Sequence, residues 1–410
     1  MGEEEFSQDS RSISGWRRAK NLGRSFFVFL SASCLFNFGM FMFVLLYNLY
    51  LLDIGYKEDF IGWMSSATTA GNMIGTVFAV ILSRRIGLQR SVIVCFAATA
   101  TIAAMRSLVV GRGALLALAF AAGLFFAVWA ISITVIVAQA TTAEMRPLAF
   151  SVYLSTVIGI GIIAEPTGGH LPLWLNYLFG PTGAAQSKQW ALLLSAAIVS
   201  LAVWPTIYLG LPQPAKDARA SYPRSSFVLR FLIAVAVLNI ATASFNPFAN
   251  TYFANYLKMP TQHIGYVFSG SQLAQVIAIV LSPLILRKFG MIWGVVSMEL
   301  AAAFSLATLA TGPPVLLATL AFAGYMSFQW MDEPAMESLL MTRVEPHERS
   351  GASAMMYMVI FASGALAAPV AGAGLARFGY PPIVVAASFL LLLGALLYGF
   401  LLRRSDGETT

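Results

Sequence analysis

The sequence is poor in charged residues, cysteine and histidine. Only 10% of its 410 residues are charged, whereas a soluble domain carries about 25%, so water cannot be the main solvent of its surface. Its two cysteines, Cys34 and Cys95, both lie in apolar stretches and define no disulfide framework. The three histidines are scattered along the chain, so we expect no metal site and no cofactor.

Long apolar segments make up most of the chain. Hydrophobic residues account for 58% of it, and the mean hydropathy is +0.76. Because a spanning helix needs about 20 mostly apolar residues, the sequence predicts an all-α polytopic membrane protein embedded in a lipid bilayer. Twelve transmembrane helices are expected near residues 25–51, 60–82, 90–110, 114–138, 147–170, 188–210, 227–255, 264–286, 291–311, 314–341, 350–376 and 380–402.

The positive charges indicate the orientation. With the N-terminus inside, nineteen of the 25 lysines and arginines fall on the cytoplasmic side, so both termini are predicted to be cytoplasmic. This bias also explains the net charge of +7 without nucleic acid as a partner. The first apolar run begins near Phe26 and is long enough to span, so we expect it to be retained. The expected location is the bacterial inner (plasma) membrane.

The chain also repeats itself at a fixed distance. Gly161, Pro166 and Gly169 return 203 residues later as Gly364, Pro369 and Gly372, and Gly87 returns as Gly290. Each repeat holds an even number of spans, so the two halves have the same orientation and are related by an axis along the membrane normal. We therefore predict an N-terminal tail (1–24), a six-helix bundle (25–210), a cytoplasmic linker (211–226), a second six-helix bundle (227–402) and a C-terminal tail (403–410).

Two local motifs resemble those of the major facilitator superfamily. The family's loop between spans two and three reads Gly-x-x-x-Asp-Arg-x-Gly-Arg-Arg. Here Arg85 and Gly87 match, while Val80 and Arg84 replace the glycine and the acid. The equivalent loop, Arg287, Lys288 and Gly290, is also basic and without an acid. In the family the acid helps to hold the two bundles together, so the resemblance leaves that contact open.

Span five resembles the family's antiporter motif, Gly-x-x-x-Gly-Pro-x-x-Gly-Gly. Gly161, Pro166 and Gly169 match it, while Glu165 and His170 occupy two of the glycine positions. The resemblance implies two pseudo-symmetric six-helix bundles that work by alternating access, and it favours export over import. The glycines and prolines of this motif and its repeat are the predicted hinge residues, together with Pro334.

Span ten carries the most informative chemistry, Asp332, Glu333 and Glu337. A charge at mid-bilayer costs about 2.5–3.5 kcal/mol even on the lenient insertion scale, so these acids must face a cavity, pair with a cation or stay protonated. The functional interpretation is that Asp332 or Glu333 binds a proton or a cationic substrate. The structural interpretation, an ion pair with an arginine, suits Glu337 near Arg343 better.

Span five adds a fourth acid, Glu165, which lies in the outer half of the membrane. It is either a second protonation site or an extracellular gate, or else it stays solvated near the headgroups. Arg106 in span three is its candidate counter-ion, and the alternative is that this arginine reaches the headgroups.

Polar and aromatic side chains along spans one, seven, eight and ten are candidates for a substrate cavity. Amides can orient a polar ligand, but they also join helices in membranes. The candidates are Asn37, Tyr47, Asn48, Asn239, Asn246, Asn250, Gln272 and Trp330.

These patterns predict a secondary active transporter, a proton-coupled exporter of a small amphiphilic or cationic organic molecule, acting as a monomer. The alternatives are an importer (symporter) of a polar nutrient such as a sugar or an organic anion, which would need an unpaired arginine in the cavity, and a lipid flippase. An enzyme is not expected, because the sequence offers no nucleophile–base pair and no catalytic cluster.

Overall fold

A computed structural model describes residues 23–142, 144–180, 183–210, 222–345 and 347–403. The predicted N-terminal tail, linker and C-terminal tail lie outside the described residues, apart from residues 23, 24, 222–226 and 403. The described chain is helical almost throughout. Its long helices are α1 (Arg24–Asp53), α2 (Glu58–Ile86), α3 (Leu88–Leu108), α4 (Arg112–Ala140), α5 (Arg146–Phe179), α6 (Ala184–Leu201, continued by Val203–Ile207), α7 (Ser226–Ala243), α8 (261–289), α9 (291–310), α10 (Val315–Arg343), α11 (Arg349–Phe378) and α12 (Tyr380–Arg403).

The number of membrane-length helices agrees with the sequence. Ten continuous helical segments in the described ranges are long and apolar enough to cross a membrane. One of them, Thr261–Ala310, has 50 residues and would be about 75 Å long at 1.5 Å per residue, more than twice the hydrocarbon thickness. Its backbone leaves helical geometry at Gly290, which divides it into α8 and α9. Helix α10 has the length but carries three acids, and it completes the twelve.

The equivalent loops α2–α3 and α8–α9 each turn at one glycine. Gly87 has φ 85° and ψ 156°, and Gly290 has φ 76° and ψ 173°. This region of backbone conformation is open essentially to glycine alone. The 203-residue repeat therefore preserves a glycine at each place where the chain must reverse between two helices without a spacer.

Helix α7 is broken where the sequence predicts one continuous span. It ends at Ala243, and a short 3-10 turn (Asn246–Phe248) and a π-helical turn (Tyr252–Tyr256) continue toward the membrane surface. Pro247 cannot donate a helical hydrogen bond and its ring disfavours a regular helix at this point. Irregular backbone at membrane depth is tolerated where it lines a cavity, which is what this break does.

The halves α1–α6 and α7–α12 interlock near one end of the molecule. We call this end, which contains residues 54–57 and 257–260, the outer end, after the predicted orientation. Gly62 on α2 packs against the backbone of Ala368 on α11, and its repeat Gly265 on α8 packs against Glu165 on α5. A Cβ at either glycine would overlap main-chain atoms. The two contacts are therefore symmetric, and glycine is what allows these helices to approach so closely.

Hydrogen bonds repeat the same symmetry one turn further along. The Ser66 hydroxyl donates to the carbonyl of Ala365 at 2.6 Å, and the Ser269 hydroxyl donates to the carbonyl of Ile162 at 2.8 Å. Both bonds join one half to the other. The 203-residue offset relates Ser66 to Ser269 and Ile162 to Ala365. The outer end is thus closed by two copies of one contact.

Candidate functional site

A cavity of about 400 Å³ lies mainly within the N-terminal half. This volume falls within the range of small-molecule sites. Its lining combines apolar, amide and hydroxyl side chains from α1–α4 with two residues of the α7 break, and it consists of Met40, Phe43, Val44, Tyr47, Asn48, Ile61, Met64, Ser65, Thr68, Thr69, Asn72, Arg106, Ala122, Phe126, Asn246 and Pro247. Of the eight predicted cavity residues, Tyr47, Asn48 and Asn246 belong to this lining and the other five do not.

Arg106 is the only charged residue among those that line the cavity. Its guanidinium lies over the ring of Tyr47, 4.0 Å from the centroid, and 5.5 Å from the centroid of Phe43. Within the described chain it forms no ion pair with Glu165, and its buried Nε has no hydrogen-bond partner there. The buried hydroxyl of Tyr47 also lacks a partner, so the cavity contains unused hydrogen-bond donors.

Two of the predicted cavity amides, Asn48 and Asn250, form hydrogen bonds between the two halves. Asn48 donates to the carbonyl of Pro247 at 2.8 Å, and Asn250 donates to the carbonyl of Leu45 at 3.0 Å. These bonds tie α1 to the irregular part of α7. Asn48 also lines the cavity, whereas Asn250 is buried beside it.

The remaining predicted cavity residues lie elsewhere. Asn37 donates to the carbonyl of Ser33 in its own helix at 2.8 Å, and Asn239 donates to the carbonyl of Ile360 at 2.6 Å, joining α7 to α11. Gln272 packs against Gly161 of the opposite half. Trp330 is 46% exposed and is not part of the cavity lining.

A pair of buried carboxyl groups occupies the interior of the C-terminal half. Asp332 on α10 is 1% exposed, and it lies within hydrogen-bonding reach of Glu299 on α9. Gln329 donates to Glu299 at 3.0 Å, but neither oxygen of Asp332 has a donor among the described residues. The titratable groups around the pair are Glu333, Tyr325 and Tyr398, none of which is a cation. Two buried carboxylates close together repel each other unless a proton or a cation compensates their charge, which makes this pair a candidate proton-binding site.

Tyr325 connects the carboxyl pair to the cavity. It lies two helical turns from Asp332 on α10, near Glu299, and its hydroxyl donates to the Asn246 side chain at 2.8 Å. Asn246 lines the cavity. Tyr325 therefore shares a helix with Asp332 and is bonded to a residue of the cavity lining.

The other acids of α10 have different surroundings. Glu333 is half-buried one residue before Pro334, which lies inside the helix. Glu337 accepts a hydrogen bond from the hydroxyl of Tyr357 on α11 at 2.9 Å. These contacts place Glu337 between two helices of the same half.

Glu165 lies at the contact between the halves. It is 5% exposed and faces Gln272 of α8, and its Oε2 has no hydrogen-bond partner in the described chain. Its own carbonyl is the atom that Gly265 packs against, next to Pro166. Any separation of α5 from α8 must therefore change the surroundings of this carboxyl group.

The predicted hinge residues lie mostly along these inter-half contacts. Gly169 packs against the start of α8, and its repeat Gly372 packs against the start of α2 at Glu58. Pro369 contacts Gly62, whereas Gly364 lies beside the side chains of Thr69 and Asn239. In the loop motifs, Arg84 and Arg85 lie in the last turn of α2, and Arg287 and Lys288 lie in the last turn of α8.

A polar cluster at the outer end has no counterpart among the sequence predictions. Glu58 on α2 accepts hydrogen bonds from Asn255 at 2.8 Å and from the Tyr380 hydroxyl at 3.0 Å, and Tyr380 also lies 2.8 Å from the hydroxyl of Thr251. Glu58 thus bonds to two elements of the opposite half. Glu58 is the first residue of α2 and lies outside the predicted span 60–82, so hydropathy alone does not single it out.

Glu299, Tyr325 and Asn72 are also absent from the site residues that the sequence predicts. Glu299 is the only acid in α9, and an isolated acid in an apolar span was a usable signal. No group of three or more histidine, cysteine or acidic residues with metal-binding geometry occurs in the described ranges.

The family model of the Major Facilitator Superfamily matches this chain over residues 27–231 and again over residues 231–410. The chain belongs to this superfamily. The two matches correspond to the two halves that the 203-residue repeat relates. The expected family membership and the all-α polytopic fold are therefore confirmed, and the chain is a multi-pass membrane transporter by family.

Solved structures of other members of this superfamily share the fold. The nucleoside transporter NupG superimposes with a TM-score of 0.76 at 16% identity, over 92% of this chain and 99% of that one. A bacterial homologue of the human lysosomal transporter Spinster gives 0.70 at 12%, over 92% and 96%. The D-xylose–proton symporter gives 0.66 at 15%, over 91% and 96%. No curated protein matches the sequence, so these likenesses establish the fold and leave the substrate to be argued from the site.

Proposed function

We propose that this member of the superfamily is a secondary transporter that works by alternating access and couples export of a small organic molecule to protons. The buried carboxyl pair Glu299–Asp332 carries the proposal. A proton shared by two carboxyl groups without a cation is released or rebound when their distance changes, and helix movement changes that distance. The antiporter-like motif in α5 supports the export direction.

The proposed coupling has a physical route. The carboxyl pair lies outside the cavity lining, and Tyr325 bonds to Asn246 at the cavity wall. Substrate that contacts the α7 break would shift Asn246 and through it α10, which carries Asp332. Glu165, buried at the contact of α5 with α8, is a second proton site that would be exposed when the outer end opens.

A second candidate is a symporter of a polar nutrient such as an organic anion. The observation that favours it is Arg106, since the residues that line the cavity include this cation and no acid. The same lining argues against a cationic substrate, and an amphiphilic solute fits both candidates.

The test is transport in proteoliposomes under an imposed pH gradient. A lipophilic cation (ethidium), a sugar (xylose) and an aromatic carboxylate (3-phenylpropionate) serve as probes, and the direction of accumulation separates exporter from symporter. A gradient of one pH unit can drive about tenfold accumulation per proton. We expect Asp332→Asn and Glu299→Gln to abolish this accumulation while leaving downhill exchange.

The matched control is Glu345→Gln, since this acid is exposed and its side chain retains 74% of its accessible surface. It should accumulate the probe as the unmodified protein does. Accumulation that ignores the pH gradient, or that survives both carboxyl substitutions, would refute proton coupling at this pair.

A further inference from the structure

We propose that Arg106 and Tyr47 form a binding site for the carboxylate of a small organic anion within the cavity. The inference rests on the proposed transport function for its biological meaning, but it concerns binding alone and is tested separately.

The first step is the position of the Arg106 charge. The guanidinium lies over Tyr47 and Phe43 in the cavity wall, at 4.0 Å and 5.5 Å from the ring centroids. Stacking on a ring leaves the five N–H groups, which lie in the plane of the guanidinium, free to bond sideways. Its Nε is buried and unpartnered in the described chain. A cation in the cavity wall with an unused donor is suited to bind an anion.

The second step is the set of unpartnered groups around it. Tyr47 is 2% exposed and its hydroxyl has no hydrogen-bond partner among the described residues, although it belongs to the cavity lining. Asn72 lines the same cavity, and its buried Oδ1 also lacks a partner. A buried polar group without a partner is costly. A ligand carboxylate that accepts hydrogen bonds from Arg106 and Tyr47 would satisfy both of these donors, whereas the Asn72 Oδ1 is itself an acceptor and would need a donor elsewhere on the ligand.

The third step is the choice of a carboxylate over other anions. A guanidinium matches a planar carboxylate through two parallel hydrogen bonds. The wall near Arg106 is otherwise uncharged and contains Met40, Val44, Met64 and Phe126, which suit an apolar body. A highly charged phosphate ester would need more than one cation here, whereas a monocarboxylate is neutralised by the one that is present.

The experiment measures equilibrium binding to the purified protein near neutral pH, without a gradient. The probes are acetate, benzoate and 3-phenylpropionate, with 3-phenylpropionamide and 3-phenylpropylamine as neutral and cationic analogues. We expect the aromatic carboxylates to raise the melting temperature in a dose-dependent way and the amide and amine to have little effect. Arg106→Gln should weaken carboxylate binding by about 10- to 100-fold, and Tyr47→Phe should weaken it less.

Arg112→Gln is the matched control. Arg112 also lies over two aromatic rings, those of Tyr56 and Phe60 at 5.7 Å each, but it is outside the cavity lining. Its removal should leave carboxylate binding unchanged. Arg106→Lys keeps the charge and loses the paired geometry, so it should bind with intermediate affinity and guards against a folding defect in Arg106→Gln.

Three results would overturn the inference: equal carboxylate binding by Arg106→Gln and the unmodified protein, tighter binding of the amine than of the carboxylate, or no stabilisation by any of the carboxylates. These results are independent of proton coupling, because no gradient is applied. Failure of gradient-driven transport with intact, Arg106-dependent carboxylate binding would instead refute the coupling proposal alone.

Discussion

The two halves of the molecule differ most at equivalent positions inside their helices. In the N-terminal half Phe96 and Trp129 pack together with ring centroids 4.9 Å apart. The residues 203 positions later are Glu299 and Asp332, the buried carboxyl pair. The reverse substitution also occurs: the charged Arg106 of the N-terminal half corresponds to the apolar Leu309 of the C-terminal half. One half thus holds a cation at a cavity, and the other holds acids in its interior.

What the halves share is found at their contact. Gly62 and Gly265 make the same close approach, and Ser66 and Ser269 make the same hydrogen bond. In the proposed mechanism, the shared contacts are the moving frame, whereas substrate and proton are handled by opposite halves. Separate sites allow each chemistry to be optimised while one rigid-body motion serves both.

The largest expected effect comes from the shared contact. Gly265→Ala and Gly62→Ala each place a Cβ against main-chain atoms of the opposite half, and overpacking of this kind costs about 1–3 kcal/mol. The closed outer end should become less populated by at least about fivefold. With Cys34→Ala as background, the labelling rate of Ser65→Cys in the cavity by an outside, membrane-impermeant maleimide should rise by that factor, and transport should fall.

Gly270→Ala is the control in the same helix as Gly265, because a Cβ there meets no atom within 4 Å. If Gly270→Ala and Gly265→Ala gave the same labelling rate, the contact would not hold the outer end closed. If Gly62→Ala and Gly265→Ala differed strongly, the two copies would not be functionally equivalent.

A smaller effect is expected from the Tyr325–Asn246 hydrogen bond, which in the proposed mechanism links the proton site to the cavity. Tyr325→Phe removes the hydrogen bond to Asn246, which is worth about 1 kcal/mol. Gradient-driven accumulation should fall by about fivefold or less, while carboxylate binding measured by thermal shift stays unchanged. Tyr56→Phe, which removes a hydroxyl bonded to the carbonyl of Val110 at the outer end, provides the comparison. Unchanged accumulation in Tyr325→Phe would show that coupling follows another route.

The smallest effect on transport is expected at the repeated turns. Gly87→Ala and Gly290→Ala force an L side chain into a backbone conformation with φ near 80°, at a cost of about 1–3 kcal/mol of stability each. Both should lower the melting temperature by similar amounts with transport per folded molecule retained. Gly113→Ala, whose Cβ would meet no neighbour within 4 Å, should have no such effect. Unequal losses at Gly87 and Gly290 would show that the two loops are not equivalent.

The helices were predictable because each one is a long apolar segment of its own. Long apolar segments, separated by glycines and basic residues, determine both the helices and their number, and the 203-residue offset relates Gly87 to Gly290 without knowledge of their φ values. The break in α7 was not predicted, since Pro247 within an apolar span is compatible with either a kinked or a broken helix. Asp332 was identifiable as an acid in a membrane segment, but its partner Glu299 lies 33 positions away on another helix.

The sequence by itself determined that this is a duplicated, all-helical membrane protein of the transporter type, because hydropathy, charge bias and internal repetition are properties of the chain alone. Only the tertiary structure decided which of its polar groups act together. Arg106 meets Tyr47 in a cavity that Asn72 also lines, and Asp332 meets Glu299, through the packing of helices that are distant along the chain. Side chains on different helices come together only when those helices pack, and no periodicity in the sequence records that distance.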